Sequence, residues 1–244
     1  MSNIALVFAG GRGTRMNSRS RPKQFLKFYG KELIIYTLEN FQNHSQIDAI
    51  VVVCIKEWIQ YLQDLVFKYA LNKVKVVVPG GSTGQESIYN GLKAIKTLSC
   101  DNETEKTVVL VHDGVRPFIN ESLISDCIDS VNEHGNAITV SPVTETIVTT
   151  SDNKINSVTE RSKCFFAKAF YLEDLLSAHE KAIKDGNTNM IDSASLMKFY
   201  GYELYTVQGN FDNIKITTPA DFYTFKALYE VRELQQIFGF SENV

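Results

Sequence analysis

The sequence predicts an α/β fold built on a doubly wound, mainly parallel sheet. Between Ile4 and Val140, short runs rich in β-branched residues alternate with segments of helical periodicity. Such alternation implies crossover connections between parallel strands. The run Ala49–Ile55 is apolar throughout, which is typical of a strand that helices cover on both faces. We therefore expect helices on both sides of one sheet.

The predicted elements of the first half follow one another regularly. Their apolar residues recur with the period of a helix or form the short runs of a buried strand. Strands are expected at Ile4–Phe8, Ala49–Ile55, Val74–Val78, Val108–Val111 and Ala137–Val140, and helices at Leu33–Phe41, Trp58–Tyr69, Gln85–Thr97 and Glu121–Glu133, the last capped by Asn120.

The pattern changes in residues 144–166, which read as a β-hairpin inserted into the α/β chain. Thr146–Thr150 and Ile155–Glu160 are the expected strands, joined by a turn at Ser151–Asn153. Because an isolated two-stranded hairpin is marginally stable in water, we expect this arm to pack on another surface, such as a second subunit.

The last third of the chain returns to helices and strands. The final helix has a favourable start, with Thr218 as cap, Pro219 at the first position and Asp221 near the positive end of the dipole. No linker or repeat divides residues 1–244, so we expect a single domain. The remaining elements are helices at Leu172–Lys184 and Ser193–Tyr200 and strands at Glu203–Val207 and Ile214–Thr217.

Composition narrows the possible classes of protein. The hydrophobic share of 44% and the charged share of 22% are ordinary for a globular protein. No apolar run is long enough to span a membrane, and the N-terminus lacks a signal sequence, so we expect a cytoplasmic protein. A net charge of −3 gives no reason to expect nucleic acid as a partner. The four cysteines lack metal-ligand spacing and are expected to be reduced and structural.

A glycine-rich and basic segment between Ile4 and Leu26 is the main candidate site. Glycines allow a ligand to approach the backbone closely, and such a loop can turn its N–H groups toward an anion. A cluster of cations next to it indicates a polyphosphate ligand. The segment contains Ala9, Gly10, Gly11 and Gly13, and the basic residues Arg12, Arg15, Arg19, Arg21 and Lys23.

Other interpretations of this loop are weaker. A dinucleotide-binding fingerprint would need a third glycine where Met16 stands, and a phosphate-binding P-loop would need Lys-Ser or Lys-Thr after the last glycine. A purely structural turn stays open, although the basic cluster weighs against it. The loop, the turn at Gly80–Gly81 and the segment His112–Pro117 all follow predicted strands, so they should converge at one edge of the sheet.

Motifs along nearly the whole chain support a specific resemblance. They resemble the signature of sugar-phosphate nucleotidyltransferases with a Rossmann-like sheet, and within these the cytidylyltransferases that make CDP-methylerythritol and CDP-ribitol. The motifs are Ala9-Gly10-Gly11-x-Gly13-x-Arg15-Met16, Pro22-Lys23-Gln24-Phe25-Leu26, Gly80-Gly81 with Glu86-Ser87, Val111-His112-Asp113-x-x-Arg116-Pro117, Pro142-Val143-x-x-Thr146, Asp192-x-Ala194-Ser195, and Asp212-Asn213-Ile214-Lys215-Ile216-Thr217-x-Pro219.

The resemblance implies cytidylyl transfer from CTP to a polyol phosphate, with Mg²⁺ as cofactor and a homodimer formed through the hairpin arm. Such chemistry mainly requires positioning and the stabilisation of negative charge. By the resemblance, the catalytic residues are Arg15, Lys23 and Lys215; the nucleotide-binding residues are Ala9, Gly10, Gly11, Gly13, Gly81, Ser87 and Asp113, with Asp113 also the metal ligand; and the acceptor-binding residues are Thr146, Arg161 and Asp192.

Several of these assignments have structural alternatives. Asp113 could cap a turn, and Asp192 could cap the helix that begins at Ser193 instead of contacting the acceptor. His112 is expected to be a packed or hydrogen-bonded histidine rather than a catalyst. Lys163 and Lys168 are further candidates for the acceptor-phosphate role given to Arg161.

The sequence also departs from the family pattern. Gly84 stands where the family usually has an arginine, and the family's Thr-Pro-Gln is absent from the stretch Ala167–Phe170. The first departure removes or replaces a contact near the nucleotide, and the second leaves the acceptor open. Lys56-Glu57-Trp58 resembles the branch that makes CDP-ribitol and so favours ribitol 5-phosphate. The alternatives are 2-C-methyl-D-erythritol 4-phosphate and a related polyol or sugar phosphate.

Two other functional classes compete with the transferase. One is a nicotinamide-binding oxidoreductase, in which Glu32 or Glu39 would bind the ribose. The other is a non-catalytic nucleotide-binding protein, which the missing arginine and the missing Thr-Pro-Gln would explain.

Overall fold

The computed structural model describes residues 2–11, 16, 21–99, 106–142, 147–152, 154–159 and 163–238. Its strands are β1 (Ser2–Ala9), β2 (Lys27–Phe28), β3 (Lys31–Glu32), β4 (Ala49–Cys54), β5 (Val74–Pro79), β6 (Thr107–Asp113), β7 (Asn136–Pro142), β8 (Ile147–Ser151), β9 (Lys154–Thr159), β10 (Lys163–Tyr171) and β11 (Thr206–Gln208). Its helices are α1 (Leu33–Asn43), α2 (Ile59–Lys68), α3 (Gly84–Ser99), α4 (Glu121–His134), α5 (Leu172–Lys184), α6 (Ser193–Phe199) and α7 (Pro219–Phe238). Short 3-10 turns occupy Lys23–Phe25 and Lys56–Trp58.

Seven strands form one mixed sheet in the order β11-β7-β10-β6-β1-β4-β5. β1 pairs in parallel with β4 and β6, β4 with β5, and β7 with β11. β10 is antiparallel to both of its neighbours, β6 and β7. The prediction of a mainly parallel sheet is confirmed, and β1 lies in its interior between β6 and β4.

Helices cover both faces of this sheet, as the apolar strands predict. Ala5 and Val7 of β1 pack in the core cluster that contains residues of α1, α2 and α4. Ile4 and Leu6, one position along, pack in the cluster that contains residues of α3, α5 and α6. Because successive strand residues point to opposite faces, β1 is buried on both sides.

The structure differs from the sequence-based prediction in the segment that follows the hairpin. Lys163–Tyr171, which we did not predict as a strand, is the central strand β10, so residues 163–166 do not belong to the hairpin. Lys168 made a strand inside the sheet hard to predict, because a buried ammonium group needs a partner. Here Lys168 has one, since its amine lies 2.8 Å from the Asp192 carboxylate.

The predicted strand at Ile214–Thr217 is wrong. This segment is irregular, and only the amide of Ile216 bonds across, to the Val115 carbonyl at 3.0 Å. The strand predicted at Glu203–Val207 is shorter and lies at Thr206–Gln208. Edge segments of this kind carry few alternating apolar residues, so their periodicity is a weak guide.

The last helix forms a third apolar cluster outside the two faces of the sheet. Phe225 of α7 packs with Phe28 and Tyr36, and the fully buried side chain of Ile216 belongs to the same cluster. The predicted cap is present: the Thr218 hydroxyl accepts from the amide of Asp221 at 3.3 Å, and the Asp221 carboxylate in turn accepts from the amides of Thr217 and Thr218, each at 2.8 Å. These contacts fix the position of the segment that precedes α7.

The hairpin β8–β9 forms a separate two-stranded sheet. Its strands are antiparallel, with Ile147 opposite Thr159 and Ser151 opposite Lys154, and Asp152 takes a left-handed φ of 49° at the turn. Within the described residues, no strand of the large sheet pairs with it. The predicted hairpin is confirmed as an element of its own.

Two further findings concern the whole described chain. Cys54 and Cys127 are free thiols in the core, where burial raises the pKa of each to about 12. None of the helices in the described ranges combines the length and the apolar character needed to cross a lipid bilayer.

Candidate active site

The glycine segment after β1 is held by a buried glutamine. The side-chain amide of Gln24 donates to the carbonyl of Ala9 at 2.6 Å and to that of Gly11 at 3.3 Å. Gln24 is only 1% exposed. The 3-10 turn that carries Lys23 is thus tied directly to the loop that follows β1.

The same segment packs against the turn after β5, and we call Ala9–Gly11 together with Gly80–Gly81 the glycine edge. A β-carbon on Gly80 would lie 3.1 Å from the hydroxyl of Ser87 and 3.6 Å from the Cα of Gly10. The Ser87 hydroxyl accepts from the amide of Gly81 at 3.0 Å and donates to the Thr83 carbonyl at 2.8 Å. The absence of side chains therefore lets the two backbones approach, with Ser87 between them.

A carboxylate at the end of β6 stands between two cations. Asp113 lies with one oxygen 2.6 Å from the amine of Lys215 and with the other 3.2 Å from Nε of Arg116. Burial opposes ionisation of Asp113, but Lys215 and Arg116 outweigh it and lower the pKa of the carboxyl. Arg116 also donates to the Asn213 carbonyl at 2.8 Å. The group is therefore an ionised cluster with one excess positive charge at the carboxyl edge of the sheet.

His112 is a packed histidine, as expected. It is fully buried, and its ring meets that of Phe41 edge-on with centroids 5.4 Å apart. Burial lowers its pKa to about 4, so the ring is neutral at pH 7. Nε2 lies 3.0 Å from the Arg116 carbonyl and must carry the proton, because a carbonyl can only accept.

The two predicted catalytic lysines meet at one segment. Lys23 is 8% exposed, and its amine donates to the carbonyl of Ile216 at 3.0 Å. Lys215, the residue before Ile216, has a side chain that is 37% exposed and reaches Asp113. Cations that are nearly two hundred residues apart in sequence therefore lie at the same edge of the sheet.

A cleft of about 240 Å³ opens beside this cluster. One side is formed by Phe8, Asp113 and Lys215, and the other by residues 190–192 at the end of the α5–α6 connection, with the start of α6. Gln85 fixes this connection, donating to the Asn187 carbonyl and accepting from the Met190 amide, both at 2.8 Å. We refer to this space as the main cleft.

Asp192 has the structural role that the sequence left open. One carboxylate oxygen accepts from the amide of Ser195 at 2.8 Å, which caps α6, and the other pairs with Lys168. Although burial opposes it, the nearby Lys168 lowers the pKa of Asp192. The carboxylate also lines the main cleft, so the cap and an acceptor contact are compatible.

The chain that forms this cleft is similar to known proteins along most of its length. Residues 3–230 match the model of the 2-C-methyl-D-erythritol 4-phosphate cytidylyltransferase family, IspD. The chain belongs to this family. A ribitol-5-phosphate cytidylyltransferase of Streptococcus agalactiae serotype V is 51% identical over 243 residues, which are 98% of this chain and 100% of that protein.

More distant relatives share the family and the fold. A 2-C-methyl-D-erythritol 4-phosphate cytidylyltransferase of Clostridium acetobutylicum is 35% identical over 238 residues, which are 96% of this chain and 100% of that one. A crystal structure of 4-diphosphocytidyl-2C-methyl-D-erythritol synthase from Anaerococcus prevotii has a TM-score of 0.77 at 24% identity, over 94% of this chain and 98% of that one. The resemblance inferred from the motifs is confirmed.

Membership in a cytidylyltransferase family rules out the nicotinamide oxidoreductase. Glu32 has no access to a ribose, since it is fully buried and accepts from the Tyr61 hydroxyl at 2.6 Å. Glu39 is paired with Lys31 at 2.8 Å. That alternative interpretation of the glycine loop was wrong.

Four predicted residues, Gly13, Arg15, Thr146 and Arg161, lie outside the described residues, and their roles stay predictions. Sequence reasoning missed the supporting roles of Gln24 and Gln85. The available signal for Gln24 was an uncharged polar residue directly before the apolar pair Phe25-Leu26. Gln85 gave none, because its partners lie more than a hundred residues away in sequence.

Proposed function

We propose that this cytidylyltransferase transfers a cytidylyl group from CTP to D-ribitol 5-phosphate, giving CDP-ribitol and pyrophosphate. The identity of 51% to a ribitol-5-phosphate cytidylyltransferase carries the choice of acceptor, since identity to the methylerythritol relative is 35%. The meeting of Lys23, Lys215 and Asp113 beside the glycine edge supports the site.

In the proposed reaction, an oxygen of the acceptor phosphate attacks the α-phosphorus of CTP. The bond from that phosphorus to the bridging oxygen breaks, and pyrophosphate leaves. Negative charge grows on the phosphoryl oxygens, so fixed cations around them lower the barrier. Lys23 and Lys215 would supply two of these cations, with Arg15 as a third by prediction.

The structure suggests how each lysine is kept in place. Lys23 is oriented by its hydrogen bond to the Ile216 carbonyl, and a pre-oriented donor needs little reorganisation during the reaction. Lys215 is held against Asp113, and an incoming triphosphate would compete with that carboxylate for its amine. The side chain of Ile216 is fully buried. It therefore fixes the backbone that carries both Lys215 and the carbonyl bound by Lys23.

The glycine edge would bind the nucleotide through its backbone. Ala9, Gly10, Gly11 and Gly81 present main-chain groups where side chains would block access. The Ser87 hydroxyl is engaged with two backbone groups. Its contribution to nucleotide binding is therefore to shape the edge.

Asp113 is suited to hold Mg²⁺ together with phosphate oxygens. Within the described ranges, no group of three or more His, Cys, Asp or Glu side chains could hold a metal ion. A single ionised carboxylate fits the habit of Mg²⁺, which commonly binds one or two carboxylates plus substrate phosphates and water. When bound, the ion would neutralise charge on the triphosphate.

A homodimer through the hairpin is the second part of the proposal. The isolated β8–β9 sheet supports it, because two strands alone are marginally stable in water. Thr146 and Arg161 flank this arm in sequence, where the predicted acceptor role would bring them to the partner's site. Sedimentation of the full chain should show a dimer, and a monomer at micromolar concentration would contradict it.

A pyrophosphate-release screen tests the function. CTP or UTP would be combined with ribitol 5-phosphate or 2-C-methyl-D-erythritol 4-phosphate, with and without Mg²⁺. We expect release with CTP, ribitol 5-phosphate and Mg²⁺ together. A preference for the methylerythritol acceptor would overturn the choice of substrate, and binding of CTP without turnover would favour the non-catalytic alternative.

A further inference from the structure

The side of the main cleft opposite Lys215 contains buried polar atoms that have no partner. Both ring nitrogens of His179 and the hydroxyl of Ser193 make no hydrogen bond within the described part of the chain. The two residues are 1% and 2% exposed. Both line the main cleft.

Such atoms are unusual in a folded protein. Leaving a buried donor or acceptor unsatisfied costs about 1–3 kcal/mol, and most buried polar groups in native structures have a partner. His179 and Ser193 come from different elements, α5 and α6, yet line the same space. A shared ligand accounts for both.

The surroundings distinguish these two groups from the charged part of the cleft. The ring of His179 is stacked on Tyr89 with centroids 5.8 Å apart and an interplanar angle of 18°. Burial lowers its pKa to about 4, so one nitrogen donates and the other accepts at neutral pH. A serine hydroxyl also both donates and accepts. Nearby, Lys168 and Asp192 neutralise each other.

This chemistry matches alcohols better than anions. A phosphate would be drawn to Lys215 and Arg116, whereas neutral groups that donate and accept complement hydroxyls, which do the same. A polyol phosphate carries both kinds of group. Its hydroxyl chain and its phosphate would therefore bind at different parts of one cleft.

We propose that His179 and Ser193 form the subsite for the polyol hydroxyls of the acceptor, and that they determine its affinity. The inference rests on the proposed function. His179 would bind hydroxyls through both of its ring nitrogens, and Ser193 would bind one more. Neither residue touches the glycine edge, so the affinity for CTP should not depend on them.

Steady-state kinetics of matched variants test this subsite. Ser193→Ala and His179→Leu should each raise the KM for ribitol 5-phosphate about five- to tenfold, as expected for lost hydrogen bonds, with the KM for CTP within about twofold of wild type. His179→Gln, which keeps a donor and an acceptor, should recover part of the loss. Ser195→Ala, an exposed serine in the same helix, is the control and should change neither constant.

The outcomes separate the two proposals. If the wild-type enzyme turns over ribitol 5-phosphate and Ser193→Ala keeps its KM, the subsite is refuted while the function stands. Equal changes in both KM values would show a merely structural role and would also refute it. If the wild type turns over no polyol phosphate, the proposed function fails and the subsite with it. Should His179→Leu fail to fold in a thermal melt, the Ser193 and His179→Gln variants decide.

Discussion

The glycine edge and the α5–α6 side of the main cleft are built differently. At the glycine edge, the side-chain amide of Gln24 donates to Ala9 and Gly11, and the hydroxyl of Ser87 bonds Gly81 and Thr83; only the Gln24 oxygen is without a partner there among the described residues. On the α5–α6 side, His179 and Ser193 are buried, and none of their side-chain polar atoms has a partner within the described residues. The first region is held by side-chain hydrogen bonds to the backbone, whereas the second has two whole side chains with unused hydrogen-bonding capacity.

Both departures from the family pattern fall at the main cleft. Gly84, where the family usually has an arginine, lines the main cleft. Ala167–Phe170, where Thr-Pro-Gln is absent, lies in β10 and carries the lysine that pairs with Asp192. One departure therefore lies near the predicted nucleotide contacts, and the other lies beside Asp192, a predicted acceptor contact.

The largest expected effect concerns the nucleotide side. Lys23→Ala should lower kcat by about 10²–10³, the loss seen when a donor to developing charge is removed, with the far-UV spectrum unchanged. Lys75→Ala is a matched control, because its amine also donates to a backbone carbonyl at 3.0 Å but is exposed. Near-native turnover of Lys23→Ala in the pyrophosphate assay would contradict the proposal that Lys23 and the adjoining glycine edge bind CTP.

A pair of glutamine variants sharpens the comparison between the two sides. Gln24→Leu removes the hydrogen bonds that hold the glycine edge, and Gln85→Leu removes those that hold the α5–α6 connection. Each variant leaves two backbone groups without their side-chain partner. We expect the first to raise the KM for CTP and the second the KM for the acceptor, by about five- to tenfold. Each should also lose about 1–3 kcal/mol of unfolding free energy in urea. The idea of two separate sides fails if both variants affect the same substrate.

The last effect concerns stability alone: a pH dependence to which the buried His179 of the acceptor side contributes. Burial holds the pKa of His179 at about 4, below its ordinary 6.5, so the unfolded chain binds a proton more readily than the native one. The part of the free energy of unfolding that depends on this histidine therefore keeps its full value above pH 6.5. It decreases as pH falls toward 4, by up to about 1.4 kcal/mol per pH unit. Urea unfolding of His179→Leu between these pH values should show a shallower slope than wild type. Parallel curves would mean that the histidine is not buried in a neutral form.

Much of the fold could be predicted from the pattern of apolar residues. Ala49–Cys54 and Leu33–Asn43 appear nearly where expected, since long apolar periodicity leaves few alternatives. β10 could not be predicted, because Lys168 is tolerable in a central strand only with Asp192 beside it. The predicted strand at Ile214–Thr217 failed for a related reason: its apolar Ile216 packs against α7 instead of joining the sheet.

Some residues of the candidate site could likewise be predicted from the sequence, and others could not. The glycine loop, Lys23 and the segment around Asp113 were found from sequence, because turns that follow buried strands meet at one edge of a parallel sheet. The supports Gln24 and Gln85 were not found, since a hydrogen bond to a distant backbone group has no signature of its own in sequence.

The sequence by itself determined the alternation of strands and helices and the edge of the sheet where the glycine turns meet, because periodicity and composition act locally along the chain; the resemblance to the family added the cations Lys23 and Lys215 expected there. Only the tertiary structure decided which polar groups are satisfied and which face the main cleft without a partner. Hydrogen bonding and burial depend on neighbours brought together by folding. For that reason Ser87 belongs to the framework, while His179 and Ser193 are available to a ligand.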